Sequence, residues 1–253
     1  MKTFARIAFV VLLALPASAA LVTAQPPDPN KPQFGLGVAV ISSPEPYKGT
    51  SNETLVVPNI SFSYKRFYLR GIILGFQLFE HDAFELDLVA RPRFGGFDEE
   101  DSRFLDGMED RRESADAGFE LSWERERFGL QLTAVSDVLG RNDGQEVTFE
   151  VTAPLRRGPF RIEPRAGVVW QSADHVNYFY GVRPEEARPD RPAYEPGDAF
   201  SLTAGVFTFA PMTRRIVFQG FARVDPFGSE INDSPIVDQD YGWIAFAGLT
   251  FQF

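Results

Sequence analysis

The chain has two histidines, His81 and His175, and no cysteine. His175 follows Asp174, and a histidine beside a carboxylate could act as a base in a hydrolase. No serine is tied to it by spacing, so it reads as a rim histidine that meets lipid headgroups or water. His81 lies in a short turn and reads the same way. The stretch 98–116 concentrates Asp98, Glu99, Glu100, Asp101, Asp106, Glu109, Asp110, Glu113 and Asp116 around Arg103, Arg111 and Arg112. Calcium would need the ordered D-x-[DN]-x-[DN]-G spacing, which is missing, so a solvated acidic loop is expected and no metal or cofactor. A second set of charges alternates with apolar residues: Glu85, Asp87, Arg91, Glu120, Glu124, Glu146, Glu150, Arg161, Glu163, Arg165, Arg223 and Asp225, with Arg70 and Arg93. The stretch 172–198 groups Tyr178, Phe179, Tyr180 and Tyr194 with several prolines. It reads either as a binding loop or as a loop packed over its neighbours by its own aromatics. No nucleophile, base and orienting group stand together, so no enzyme is expected.

The elements that carry these residues are strands. Tyr241, Trp243, Ala245, Ala247, Leu249, Phe251 and Phe253 alternate with Gly242, Ile244, Phe246, Gly248, Thr250 and Gln252. Successive side chains of a strand point to opposite faces, so this is one apolar face with aromatics at both ends. The same period of two recurs along the chain, for example Phe84, Leu86 and Leu88 against Glu85 and Asp87, or Val147, Phe149 and Val151 against Glu146, Thr148 and Glu150. Segments of about ten residues with this alternation, separated by turn residues, are the signature of a transmembrane β-barrel. In that setting the charges face a lumen, where opposite charges on neighbouring strands pair. A soluble sandwich would show them to water instead.

Short connections (65–66, 81–82, 125–126, 156–158, 212–213) alternate with long ones (42–53, 95–114, 139–144, 172–198, 227–240), as periplasmic turns and extracellular loops should. Between Phe67 and Glu80 the apolar positions change phase, which demands a bulge or a turn. A hairpin near Gly71–Gly75 supplies it and brings the strand number to twelve, with both termini in the periplasm; ten is the alternative. The expected architecture is all-β: an antiparallel outer-membrane barrel over 34–253.

Lys2 and Arg6, the apolar run Ile7 to Leu15 and the small residues near Ala19 or Ala24 read as a secretory signal peptide over 1–24, followed by a Pro-rich flexible leader over 25–33. Loss of Lys2 and Arg6 would carry the net charge two units below −10, which argues against nucleic acid. The natural surroundings are outer-membrane lipid and lipopolysaccharide.

Tyr180-Gly181-Val182, Pro184, Ala187, Pro192-Ala193-Tyr194 and Gly197 resemble the signature loop of the MipA/OmpV family of outer-membrane proteins. Asp233-Ser234-Pro235-Ile236-Val237, Pro46-Tyr47-Lys48-Gly49 with Ser51, Val57-Pro58, and Phe62 with Tyr64 are similar to that family in the same order. The extended 98–114 loop and the pair Phe179-Tyr180 depart from it. The resemblance implies a non-enzymatic envelope scaffold, whose partners would be a lytic murein transglycosylase and a murein synthase. The alternatives are a narrow solute or ion channel with a charged lumen, and a surface adhesin acting through 172–198.

Overall fold

The computed structural model describes residues 31–253; the expected signal peptide and residues 25–30 of the leader lie outside them. Gln33, at the leader's expected end, is already the first residue of a strand. Thirteen strand segments form one antiparallel sheet: β1 (Gln33–Ser43), β2 (Glu53–Tyr64), β3 (Phe67–Arg70), β4 (Ile73–His81), β5 (Phe84–Arg93), β6 (Ser114–Glu124), β7 (Gly129–Asp137), β8 (Gln145–Thr152), β9 (Leu155–Arg157), β10 (Phe160–Gln171), β11 (Ala199–Pro211), β12 (Ile216–Pro226) and β13 (Tyr241–Gln252). β8 and β9 pair with β10 in one unbroken register and make a single wall strand, interrupted at Ala153–Pro154. Twelve wall strands result, and β13 pairs with β1 to close the barrel.

The turn expected near Gly71 is present. Gly71 has φ +64, a left-handed value that glycine adopts without strain. The phase change is completed by a bulge between Gln77 and Phe79. Both devices keep Phe67, Leu69, Leu74, Phe76 and Phe79 on the outer face.

The alternation decides which face meets lipid. Outward residues such as Phe34, Leu36, Val38 and Val40 of β1 are exposed, whereas Ala39 between them is buried. Aromatics gather outside near the short-turn end, where Phe34 contacts Phe253 at 5.5 Å, Phe67 contacts Phe76 at 4.6 Å and Trp123 contacts Phe128 at 5.1 Å between ring centroids. The band between the two ends is the surface that acyl chains cover. Many inward side chains are small or polar. Asn59 reaches across to Thr250 at 2.9 Å and Gln219 at 3.1 Å.

The buried apolar cluster is not inside the wall. It is built by the long loops at one end, from Tyr47, Phe97, Leu105, Met108, Val176, Val182, Ile231, Ile236 and Val237. The hydrophobic effect therefore acts in two places: the wall gives its apolar surface to lipid, and the loops bury theirs against one another.

One inward contact constrains the wall. Tyr68 Oη donates to Asp87 Oδ2 at 2.5 Å. The ring reaches the carboxylate by lying over Gly75, where an added Cβ would sit 2.0 Å from Tyr68 Cζ. Gly75→Val is expected to displace the ring, while Tyr68→Phe removes only the hydroxyl. A hydrogen bond to a charged group contributes about 1.5–3 kcal/mol. Urea unfolding in detergent, read by heat-modifiable gel migration, should place Tyr68→Phe below the parent and Gly75→Val lower still.

Candidate functional site

Two regions hold the residues singled out in the sequence: the lumen and the loop assembly that covers it. In the lumen, the strand period of two turns alternate charged side chains inward, and the register sets their partners. Arg91 and Arg93 share Asp116 and Glu146, with Arg91 at 2.6 Å from Glu146 and Arg93 at 2.5 Å from Asp116. Arg165 bridges Glu150 at 3.0 Å and Glu163 at 2.8 Å. Arg161 pairs with Glu163 and, at 2.5 Å, with Glu124. Arg223 and Asp225 pair at 2.9 Å. Glu120 takes the Thr133 hydroxyl at 3.3 Å, and Glu85 takes the Gln77 amide at 3.2 Å. The charges on β5 to β10 thus form a cross-strand lattice rather than a row of free ions.

Above this lattice the loops make a lid. Ser172 caps α1 (Ala173–Tyr180), which places His175, Val176 and Phe179 inward. Phe179 is buried, and Tyr178 and Tyr180 are half-buried. Tyr180 packs on Tyr47 and Phe227. Tyr194 donates its hydroxyl to the Glu230 carbonyl at 2.9 Å, and its backbone pairs with Val182. These four aromatics are parts of the lid's packing. Only Tyr178 also borders an open cleft of about 430 Å3, together with Glu109, Asp110, Arg112, Arg141 and Arg183.

Two buried arginines join the lid's largest loops, and their sequence neighbourhood gave no sign of them. Arg111, 3% exposed, donates Nη2 to both oxygens of Glu186 at 3.0 Å and Nε to the Tyr178 carbonyl at 2.7 Å. Glu186 also accepts from the Arg183 and Glu109 amides, each at 3.0 Å. Burial alone would raise its carboxyl; the two amides and Arg111 outweigh burial and hold it below the ordinary range. Arg191 donates to the Glu186 carbonyl at 2.7 Å and to the Phe104 carbonyl. Gly96, at φ +113, lets the 94–113 loop double back, because a Cβ there would meet the Arg111 carbonyl at 1.9 Å. The acidic stretch is consequently divided. Asp98 to Asp101 remain at the surface, whereas Leu105, Met108, Arg111 and Asp116 are buried. The signal for this was Leu105 and Met108, two apolar residues in a loop otherwise rich in charge.

His175 lies under the lid, with Nε2 3.1 Å from Gln171 Nε2. His81, expected in a turn, is instead the exposed last residue of β4, paired with Phe84. Burial, reinforced by Arg93 and Arg91 and opposed by Glu146 and Asp116, moves the His175 pKa from 6.5 down to about 4. Its neutral ring is therefore part of the folded lid. The stabilisation is complete above pH 6.5 and is lost as pH falls from there toward 4, because the unfolded segment takes up the proton first. Protease protection of 172–198 should fall between neutral pH and about 4.5, and His175→Gln, which cannot take a proton, should flatten that dependence. Arg111→Met strands the Glu186 carboxylate, and breaking a buried pair costs about 3–5 kcal/mol. The 94–113 and 172–198 loops should then become protease-sensitive while the barrel still migrates as folded. The double variant with Glu186→Leu should recover part of the loss.

A family model described as "MltA-interacting protein MipA" matches residues 36–253. A putative outer membrane protein of Escherichia coli, YiaT, is 26% identical over 249 residues, covering 96% of this chain and 97% of its own. The MltA-interacting protein of Escherichia coli is 26% identical over 224 residues, covering 87% and 90%. The outer membrane protein OmpV of Vibrio cholerae is 27% identical over 157 residues, covering 62% and 61%. Among solved structures the NanC porin covers 87% of this chain and 98% of its own at 10% identity and a TM-score of 0.39, and the strand pairing described above stands without it. With a family model matched from the first wall strand to the last residue, the chain belongs to the MipA family and is an outer-membrane β-barrel of the MipA/OmpV type.

Proposed function

We propose that the protein is a non-enzymatic scaffold at the outer membrane that holds a murein-processing enzyme at its periplasmic rim. The observation that carries this is the charge of that rim. Its short turns present Lys65, Arg66, Arg125, Arg127, Arg156, Arg157, Arg214 and Arg215, all exposed. Asp82 and Glu126 are the opposing carboxylates in the same turns, with Glu80 and Glu124 at the strand ends; Asp82 pairs with Arg125 and Glu124 with Arg156, so the rim keeps a positive excess. The chain as a whole carries a net −10, so the rim stands out as a basic ring on an acidic molecule. Such a ring attracts a partner with an acidic face and steers its approach. The lid at the opposite end, locked through Arg111 and Glu186, fits a docking body better than a free solute pore. Relatives from Escherichia coli and Shigella flexneri carry the name MltA-interacting protein, which supports that partner class.

Mild crosslinking of intact envelopes, followed by co-purification, tests the reading. A lytic murein transglycosylase should be recovered, and replacing Arg156, Arg157, Arg214 and Arg215 by glutamate should lower recovery by about tenfold or more, in a salt-sensitive way. Recovery of no murein enzyme from the native host's envelopes would remove the proposal.

A further inference from the structure

The barrel wall is incomplete on one side. β2 pairs with β1 along its whole length, from Glu53 to Ser63, but with β3 only through Ser61–Tyr64. β5 pairs with β4 only as far as Ala90, so Arg91–Arg93 have β6 as their single partner. Because β3 and β4 turn back at Gly71–Ile72, no strand lies between the upper parts of β2 and β5. Three strand spacings separate them below the notch, so the gap is on the order of 14 Å between strand axes. Loops close it above: Ser102 Oγ donates to the Lys48 carbonyl at 2.6 Å, joining the loop before β2 to the loop after β5. The result is a side window between the lumen and the bilayer, with the Gly71–Ile72 turn as its sill.

Both uprights of this window carry a proline at the opening. The Ile60 carbonyl accepts from the Gly71 amide, so in an antiparallel ladder residue 58 aims its backbone at the same edge. The Ala115 carbonyl accepts from Val138, so Pro92, its partner on β5, aims away from β6 and into the gap. Pro58 and Pro92 have no N–H to leave unpaired there. Proline in sheets is confined to such edges, and the pair marks the opening as a built feature rather than a fault in pairing.

The lumen beside the window is apolar. Phe207, Phe221, Phe246, Ile41 and Leu55 are consecutive cross-strand partners in one row. All five share the inward face of their strands with buried Thr203, Val217, Thr250, Ala39 and Asn59. The row ends at Leu55 and its inward neighbour Val57, on the window's edge. At the sill stands Arg70, inward opposite Ser61 and stacked on Tyr68 with its Cζ 4.0 Å from the ring centroid. Asp87 takes the Tyr68 hydroxyl on Oδ2, and Arg70 acts on Glu85 through space, but among the described residues no carboxylate lies at ion-pair distance from Arg70. From Ser61 to Leu55 the inward face of β2 rises about 20 Å, the length of a long fatty acyl chain.

We propose that this window admits a long-chain carboxylate from the outer leaflet, with its headgroup on Arg70 and its chain along Val57, Leu55, Ile41 and Phe246. An arginine held by an aromatic face, with no carboxylate at ion-pair distance, is suited to take a carboxylate through two parallel hydrogen bonds. The apolar row gives the chain a surface that the charged opposite wall does not.

A palmitate analogue with a photoreactive diazirine near its methyl end, used on the detergent-folded full chain, tests this. Adducts mapped by mass spectrometry should fall on inward Ile41, Leu55, Val57 or Phe246. Free palmitate should compete and hexadecanol should not. Arg70→Gln should lower labelling by about tenfold or more, and Arg70→Lys should restore part of it. Folding of each variant is read by heat-modifiable migration; if Arg70→Gln does not fold, the palmitate-against-hexadecanol competition on the parent chain decides. Adducts confined to the outward Val38, Val56 and Phe200, equal competition by the alcohol, or labelling of folded Arg70→Gln at the parent level would each overturn the proposal.

Discussion

In hydrocarbon a peptide N–H or C=O without a partner costs several kcal/mol, and this cost shapes the wall more than any side-chain contact does. A strand can satisfy its groups only through neighbours on both sides, so the sheet must close. β13 against β1 provides the closure, and it requires both termini to leave from one end. In one stretch where the rule is relaxed, above Gly71–Ile72, proline replaces residues that would have presented an N–H. The same constraint explains the wall's outer surface: phenylalanines, leucines and valines that a soluble protein would hide are the exposed ones here.

With the apolar residues committed to lipid, the interior could not be held by a hydrophobic core. Charge pairing takes over on the β5-to-β10 side, where arginines lie between carboxylates of adjacent strands. Each arginine is shared by two acids or paired beside one, which offsets the cost of desolvating the charges, although Arg93 Nε and Arg165 Nε have no partner of their own among the described residues. The β11-to-β2 side is different: beside the Arg223–Asp225 pair and the polar Gln219 and Asn59 it carries phenylalanine, aliphatic and small residues. The lumen is thus two-sided, and an amphipathic guest would find a surface for each of its halves.

The loops behave as a small folded unit on top of the barrel. Their buried cluster and the Arg111–Glu186–Arg191 contacts tie together segments far apart in sequence, which makes the lid rigid at one end of the molecule. The other end has only tight turns, and these carry an excess of positive charge. A molecule with a lid of packed loops at one end and basic turns at the other is polarised along its axis, and the proposed scaffold role rests on that polarity.

The sequence alone determined the wall. Period-two alternation, aromatics at strand ends and the alternation of short and long connections gave an antiparallel barrel, and the phase change between Phe67 and Glu80 located the hairpin that makes twelve strands. The inward set of charges was legible for the same reason: a strand's two faces are encoded residue by residue. What only the tertiary structure decided are contacts between distant segments. Nothing near Arg111 announces that Glu186 waits beneath it, and the aromatic loop at 172–198 could have faced a partner as readily as its own neighbours. The window was hidden too, because it is the absence of pairing beside β2, set by how short β3 is; Pro58 hints at an open edge, but nothing local says that it faces Pro92 across a gap. Local periodicity records which way a side chain points; which groups meet across space is fixed by register and loop closure, and those are properties of the whole closed sheet.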